Sequence, residues 1–259
     1  MTHSNKVLRE AYGFTIGWSV LTITTLLLIS CPEFVESTLR GEFEPALMVR
    51  GIQRQLATLQ ALLGKSREST APGQSSTHNL FGEVGNLGPG AIAIGNAEGT
   101  LRPNGTPTWA YYGHSDPANQ VTNKGFASWQ ATRVKTAKEG DRQALRRINT
   151  QCIPYTVKSF QAQGLDLTPR LLVESCDIWI QAPRAAVDFA WNYKQCQLDG
   201  KTGERALLCA RINNYIDPAT GRFDVASIFK KPGALAADQQ RRMTAIAQTL
   251  KRFQISPTI

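Results

Sequence analysis

One acid, Glu98, lies at the predicted end of a short helix, in the sequence Ala97-Glu98-Gly99-Thr100. Glycine commonly ends a helix because it tolerates the left-handed backbone conformation. A carboxyl group at a helix end, partly shielded by apolar neighbours, can keep its proton and act as a general acid. Glu98 is therefore the first candidate for a catalytic residue, and its alternative interpretation is an ordinary exposed acid at a helix end.

The segment after Glu98 is polar and aromatic, as expected for a binding site. Cleaving a glycosidic bond needs a proton on the leaving oxygen and a second group, either a carboxylate or a polar residue that places a water molecule. Asp116 is the nearest carboxylate downstream, although its position before Pro117 also suits a turn. Aromatic rings suit the faces of sugars and amides suit their hydroxyl groups. The candidates of these two kinds are Trp109, Tyr111, Tyr112, Asn104 and Asn119.

Helices make up most of the predicted scaffold around these residues. Gly88-Pro89-Gly90 begins the short helix that carries Glu98, with proline near its first turn. Prolines and a glycine then break the chain into turns, and residues 108–112 suit a strand. The further helices are expected over 141–153, 168–180, 183–194 and 236–253. In the last of these, Met243, Ile246, Ala247 and Leu250 are expected to face inward, and Arg241, Arg242, Lys251 and Arg252 outward.

A resemblance to a known family rests on two short segments. These are Ala97-Glu98-Gly99-Thr100 and Thr108-Trp109-Ala110-Tyr111-Tyr112-Gly113-His114. A helix that ends in Glu-Gly-Thr, followed by a turn-rich hairpin that reaches Tyr-Gly-His, resembles the lysozyme-like superfamily of phage endolysins and muramidases. The C-terminal residues 217–242 resemble the tail of uncharacterised cyanobacterial proteins of this kind. The resemblance implies a mainly α domain, of α+β lysozyme-like type with a small β-hairpin, over residues 90–259.

The resemblance also implies roles for single residues. Glu98 becomes the general acid that acts on a glycan, and Thr108 matches a threonine of the family's hairpin. The family often has an aspartate before that threonine, but Asn104 stands near its place. Three alternatives follow: Asp116 substitutes for the missing acid, the enzyme is a lytic transglycosylase that needs one acid, or activity has been lost. His114 either acts on the substrate or holds the hairpin by hydrogen bonding.

The N-terminus predicts a membrane anchor. Residues 11–31 hold no charged side chain, and about 20 apolar residues span a bilayer. Lys6 and Arg9 precede this segment and acids follow it, so the positive-inside rule places the N-terminus in the cytoplasm and the rest of the chain across the membrane. The protein is expected to cross an inner or thylakoid membrane once, with its C-terminal domain in the periplasm or lumen. The alternative is a lipoprotein, in which the segment before Cys31 is cleaved and Cys31 carries lipid.

Two further segments connect the anchor, residues 1–32, to the predicted domain. Residues 33–64 are a predicted helical stalk, since Val49, Ile52, Leu56, Leu59 and Leu63 follow a heptad spacing. The stalk could pack on its own domain or join subunits of an oligomer or membrane complex. Residues 65–89 are rich in Ser, Thr, Gly and Pro and are predicted to be a linker.

Four cysteines lie in the predicted outer domain: Cys152, Cys176, Cys196 and Cys209. An even number of cysteines in an oxidising compartment favours two disulfides, and the spacing makes Cys196 and Cys209 the easiest local pair. No Cys-x-x-Cys motif indicates a zinc site, so no metal is expected. No phosphate-binding glycine loop or haem motif indicates a cofactor.

The charge of the chain indicates an anionic partner. Its 29 Lys and Arg against 20 Asp and Glu give a net charge of +9, and the first 32 residues carry only +1 of it. No run of five or more basic residues is present, which argues against a nucleic-acid-binding tail. Two functions remain: a membrane-anchored enzyme that cleaves peptidoglycan glycan strands, and a non-catalytic peptidoglycan-binding or scaffold subunit with a degenerate lysozyme-like domain.

Overall fold

The computed structural model describes residues 80–115, 120–217, 220–224 and 233–259. These residues form a mainly helical domain with small antiparallel sheets, so the prediction of a mainly α fold is confirmed. The α-helices are α1 (Pro89–Glu98), α2 (Trp109–Tyr112), α3 (Ala137–Arg147), α4 (Ile153–Ala162), α5 (Pro169–Gln181), α6 (Pro183–Ala186), α7 (Phe189–Leu198), α8 (Gly203–Asn213) and α9 (Ala234–Arg252). The strands are β1 (Gly82–Glu83), β2 (Asn86–Leu87), β3 (His114–Ser115), β4 (Thr122–Lys124) and β5 (Trp129–Gln130).

Several predicted features lie outside the described residues. They are the membrane anchor with Cys31, the helical stalk, residues 65–79 of the linker, Asp116 and Asn119. Within the described ranges, no helix combines the length and the apolar composition needed to cross a membrane.

Residues 80–87 pack onto the domain. Strands β1 and β2 form a two-stranded hairpin, with Gly82 opposite Leu87. Leu80 and Phe81, which precede the hairpin, are buried in the same core cluster as the helices. The folded region therefore includes residues that the composition alone assigned to the linker.

Helix α1 positions Glu98, and its ends follow the predicted signals. Gly88 precedes the helix with an extended backbone, Pro89 occupies its first turn, and Gly99 ends it in the left-handed conformation at φ 78°. The helix is buried almost all round and packs most extensively against α9. Gly95 faces Leu101, and a methyl group at Gly95 would come within 2.6 Å of the Leu101 side chain. The close return of the chain after Glu98 therefore requires glycine at this position.

The prediction of a strand over residues 108–112 is wrong, because residues 109–112 form helix α2. Thr108 has an extended backbone at the start of α2, and its carbonyl accepts a hydrogen bond from the Tyr111 amide. The aromatic composition of this segment favoured a strand, but the segment forms one helical turn beside β4, and the Tyr111 carbonyl accepts a hydrogen bond of 2.9 Å from the Gly125 amide. The strand begins two residues after α2, at His114.

A three-stranded antiparallel sheet, β3-β4-β5, follows α2. His114 lies opposite Asn123, and Lys124 lies opposite Trp129. Helix α3 packs against this sheet at Gly140, where an added methyl group would come within 2.5 Å of the Lys124 carbonyl oxygen. A 3-10 turn at Ala131–Arg133 connects the sheet to α3.

The remaining predicted helices are present with shifted boundaries. The helix expected to begin at residue 141 begins at Ala137, where Thr136 and Glu139 form a capping box. A π-helical turn, Ile148–Cys152, joins α3 to α4. Helix α5 starts as predicted, with Thr168 as its cap and Pro169 in its first turn. The single helix expected over 183–194 is two helices, α6 and α7.

Two disulfides stabilise the helical region, as the cysteine count predicts. Cys196 pairs with Cys209, which confirms the expected local pair and joins α7 to α8. Cys152 pairs with Cys176 and joins the π-helical turn to α5. A disulfide that closes a loop of this size typically adds about 3 kcal/mol to the free energy of unfolding.

Candidate functional site

Glu98 forms an ion pair with an arginine of the last helix. Oε1 of Glu98 accepts a hydrogen bond of 2.5 Å from Nη2 of Arg242. The Glu98 side chain keeps 14% of its surface exposed, whereas that of Arg242 keeps 6%. Oε2 of Glu98 receives no hydrogen bond from the described part of the chain. Glu98 is thus held at one oxygen and remains reachable from solvent.

Arg242 is itself held by Asp177 of helix α5. Its Nε and Nη2 donate to the two carboxylate oxygens of Asp177 at 3.0 and 2.6 Å. Asp177 is fully buried and accepts a further hydrogen bond of 2.6 Å from Arg211 of α8. A bidentate arginine–carboxylate pair fixes both position and orientation. The location of the Glu98 partner is therefore determined by the core of the domain.

The pairing continues through the core as an alternating row of charges. Arg211 also bonds Glu174 at 2.5 Å, and Glu174 accepts a hydrogen bond of 2.5 Å from Arg170. Glu204, which is 56% exposed, lies 3.6 Å from Arg170 at the far end. We refer to this row as the charged chain; its members in order are Glu98, Arg242, Asp177, Arg211, Glu174, Arg170 and Glu204. Its interior members are buried, and its two end members reach the surface.

The charges of the chain reinforce one another. Burial opposes the charge of Arg242, but the neighbouring carboxylates of Asp177 and Glu98 outweigh it and raise the pKa of Arg242 well above its ordinary value. Burial likewise opposes ionisation of Asp177, yet Arg242 and Arg211 together lower the pKa of Asp177 below its ordinary value. Burial dominates at Glu174 and raises its pKa. Arg242 therefore stays a cation, and Glu98 lies beside it as a counter-ion.

The prediction that Arg242 faces outward is wrong, because its side chain is buried between Asp177 and Glu98. The helical position of Asp177 predicts a carboxylate that faces solvent or basic partners, and its partners are Arg242 and Arg211. Periodicity contained a signal for Arg242, because it lies four residues before Ile246 and one before Met243, both of which are buried. An arginine is expected to face solvent, whereas the position of Arg242 on the helix is expected to face the core. Arg242 is buried because Asp177 of α5 neutralises it, and the sequence around Arg242 does not reveal a partner on another helix.

Thr108 and Asn104 shape the turn after Glu98. Oγ1 of Thr108 lies 2.8 Å from the Gly99 carbonyl and 3.0 Å from the Thr100 carbonyl, and it is the donor in both contacts. Oδ1 of Asn104 accepts hydrogen bonds from the amide and the hydroxyl of Thr106. The Thr108 proton is thus used to attach the start of α2 to the residues that follow Glu98, and the Asn104 oxygen closes a turn.

Tyr111 and His114 hold α2 against its neighbours. The Tyr111 hydroxyl donates to Oδ2 of Asp141 at 2.7 Å. Burial and this carboxylate raise the pKa of Tyr111 above its ordinary value. Nδ1 of His114 donates to the Ala110 carbonyl at 2.9 Å, which ties β3 to α2. Both side chains therefore have hydrogen-bond partners within the fold.

Trp109 and Tyr112 are the exposed members of the predicted aromatic set. Trp109 is 77% exposed and Tyr112 is 67% exposed, whereas Tyr111 between them is half-buried. Residues three apart lie on the same side of a helix. Helix α2 therefore presents two aromatic side chains to solvent, which is unusual unless they contact something. Trp109 also packs edge-on against the His114 ring, with centroids 6.4 Å apart.

An open groove of about 680 Å³ lies along the seam between α1 and α9. Its polar lining comes from Asn96, Gln240, Arg241, Thr244 and Gln248. None of the predicted site residues lines it. Arg241 links the groove to the site, since its Nη1 donates to the Ala97 carbonyl at 2.9 Å.

Tyr215 is a buried tyrosine whose ionisation affects the stability of the fold at high pH. Its hydroxyl donates to Gln181, and burial raises its pKa from 10 to about 12. A raised pKa stabilises the folded state below pH 10, and this contribution is lost as the pH rises from about 10 to 12. We expect wild type to lose about 2 kcal/mol more than Tyr215→Phe over this interval. Urea unfolding at pH 9 and pH 11.5 measures the difference, and parallel losses in the two proteins would contradict it.

No metal centre is evident. In the described part of the chain, no three His, Cys, Asp or Glu side chains stand close enough together to hold an ion. Among the described residues of the candidate site, the Glu98 carboxylate and the rings of Trp109 and Tyr112 reach solvent.

The chain was compared with protein families, curated proteins and solved structures. No family model, curated protein or solved structure matches it significantly. The function of the domain must therefore be inferred from its own side chains.

Proposed function

We propose that the domain acts on the glycan strands of peptidoglycan, as a muramidase or a lytic transglycosylase, with Glu98 as the residue that transfers the proton. The observation that supports this most is the position of Glu98: it is a partly exposed end of the charged chain, fixed from the core through Arg242 and Asp177. Burying charges is costly, and apolar packing of similar volume is often as stable. What the charged chain provides in this proposal is a Glu98 carboxylate that is held in one position.

The two oxygens of Glu98 have different roles in this proposal. Oε1 stays on Arg242, and Oε2 faces the glycosidic oxygen. Glycan bound over Glu98 excludes water from the carboxyl group, so the proton transfer takes place away from bulk solvent. The Oε2 proton then moves to the leaving oxygen as the glycosidic bond breaks. In a transglycosylase the substrate's own hydroxyl closes a ring and returns its proton to Glu98, so that one acid is sufficient.

The exposed rings of α2 supply the binding surface of this proposal. Trp109 and Tyr112 stack against sugar faces, while the Thr108 contacts keep α2 next to Glu98. The two disulfides support a location in an oxidising compartment. The membrane anchor at residues 11–31 remains part of the proposal, as does the position of the domain outside the cytoplasm.

The second candidate function is peptidoglycan binding without cleavage, as a scaffold subunit. The ion pair between Glu98 and Arg242 favours it, because Oε1 of Glu98 is bonded to a guanidinium that Asp177 holds in the core. In this case the charged chain would have a structural role alone. Both candidates predict binding to sacculi, and only the first predicts release of glycan fragments.

Removing the exposed rings tests the binding surface that both candidates share. We expect Trp109→Ala and Tyr112→Ala each to weaken binding of the full-length protein to purified sacculi about 5- to 30-fold, because each loses a large apolar contact. Co-sedimentation with sacculi measures this binding. Leu198→Ala is the matched control, since Leu198 is 69% exposed and lies on α7. Equal binding by all four proteins would remove α2 from the site.

A further inference from the structure

A strongly basic surface lies on helix α3. Residues 120–160 contain eight Lys and Arg against two acids, Glu139 and Asp141. Glu139 caps α3 by accepting hydrogen bonds from the Lys135 and Thr136 amides. Asp141 is buried and bonds Tyr111 and the Phe126 amide. Both acids are engaged within the fold, and Glu139 also interacts electrostatically with Arg142 and Lys135. The eight cations nevertheless outnumber the two acids, so the region keeps a net positive charge.

Three cations of α3 form a line along one side of the helix. Lys138, Arg142 and Arg146 are spaced four residues apart, and all three are exposed. No carboxylate of the described residues comes within ion-pair distance of them. Like charges four residues apart destabilise a helix by about 0.2–0.5 kcal/mol per pair. We call this row the basic stripe, and it weakens the helix that carries it.

Two further cations, Arg133 and Arg147, extend the positive surface. The Arg147 guanidinium lies 4.4 Å from the centre of the Trp129 ring. Burial and the nearby charge of Arg133 lower the pKa of Arg147. Two guanidinium groups close enough to repel each other create a field that attracts anions. Stacking on Trp129 keeps Arg147 in place beside Arg133.

The basic stripe is connected rigidly to the exposed rings of α2. Helices α2 and α3 pack on the same three-stranded sheet. The hydrogen bond of 2.7 Å from Tyr111 to Asp141 joins them directly. A polymer bound at Trp109 and Tyr112 would therefore meet a field of positive charge from the neighbouring helix. Peptidoglycan fits this arrangement, because its sugars offer stacking faces and its peptide branches end in carboxylates.

We propose that the basic stripe, Lys138, Arg142 and Arg146, binds the carboxylates of the peptide branches of peptidoglycan. This inference rests on the proposed function, since it assigns the second half of the same ligand. Each cation attracts a branch carboxylate without forming a permanent ion pair, so binding weakens as the salt concentration rises. The stripe thereby retains the domain on a strand whose sugars reach α2.

The test uses the full-length protein in detergent with Glu98→Gln as the background, so that sacculi stay intact whether or not the wild type cleaves them. We expect Lys138→Gln/Arg142→Gln/Arg146→Gln to weaken sacculus binding about 10- to 100-fold at low salt and to flatten its salt dependence. The matched control is Arg184→Gln/Arg205→Gln/Lys251→Gln, which removes three exposed cations from other helices and should change binding less than about threefold. Thermal unfolding checks that both triple variants fold.

A second arm identifies the ligand group. Coupling the sacculus carboxylates to ethanolamine should reduce binding of the stripe-intact protein to the level of the stripe variant. Unchanged binding after coupling, or equal binding by the two triple variants, would overturn the proposal. So would a loss that appears only on nanodiscs with anionic lipid, since the stripe would then face a membrane. Because binding is measured without cleavage, a catalytically inactive wild type leaves this result intact.

Discussion

Asp177→Ala is expected to lower the free energy of unfolding by about 3–5 kcal/mol. Asp177 is fully buried and neutralises both Arg211 and Arg242, with three hydrogen bonds of 2.6–3.0 Å. Removing it leaves two guanidinium groups in the core without their shared counter-ion. Urea denaturation of the full-length protein in detergent, monitored by circular dichroism, measures the change.

Two comparisons make this result specific. Asp199→Ala removes an acid that is 64% exposed and pairs with Lys201, so it should cost less than about 1 kcal/mol. In addition, the pKa of Asp177 is lowered in the folded state, so its contribution is present above the ordinary aspartate range and is lost as the pH falls through the folded pKa. The wild type should therefore lose more stability on acidification than Asp177→Asn. A cost near that of Asp199→Ala would mean that water reaches the charged chain.

Glu98→Gln is expected to reduce the rate of glycan cleavage about 10²- to 10⁴-fold, the usual contribution of a general acid or base. Glutamine has the same shape and can keep a hydrogen bond from Arg242 at Oε1, but its amide cannot transfer the proton. Stability should change by only about 1–2 kcal/mol, because one charge-assisted hydrogen bond is weakened. Release of soluble fragments from labelled sacculi measures the rate.

Glu204→Gln is the matched control for this variant. Glu204 occupies the opposite end of the charged chain, is 56% exposed and lies 3.6 Å from Arg170. The Glu204→Gln variant carries the same chemical change at the other end of the charged chain, so it should leave the cleavage rate within about twofold of wild type. A large loss in Glu204→Gln would indicate that the rate reports the integrity of the chain and not a role for Glu98.

Local signals predicted the parts of the fold that depend on short segments. The Gly88-Pro89 start and the Gly99 end of α1 were predicted because backbone requirements select those residues. The Thr168-Pro169 start of α5 followed for the same reason. The Cys196–Cys209 pair was predictable from proximity along the chain. The Thr136 and Glu139 pair also has the spacing of a capping box, and it starts α3 four residues before the predicted start at residue 141.

The partners of the candidate site could not be predicted in this way. Glu98 and Arg242 are 144 residues apart, and their contact depends on how α1 packs against α9. The aromatic segment 109–112 was predicted as a strand because aromatic residues favour pleated surfaces, but it forms a single helical turn that packs against β3 and β4. The fates of Tyr111 and Tyr112, one bonded to Asp141 and one exposed, were also set by the neighbouring helix α3 and sheet.

The most direct test of the central claim is to incubate the full-length protein with purified sacculi in ¹⁸O-labelled water and to analyse the soluble products by mass spectrometry. The proposal predicts glycan fragments from wild type and almost none from Glu98→Gln. Incorporated ¹⁸O at the new reducing ends would identify a hydrolase, and fragments lighter by one water without label would identify a transglycosylase. No fragments from a folded wild type that binds sacculi, or equal fragments from both proteins, would contradict a catalytic role for Glu98.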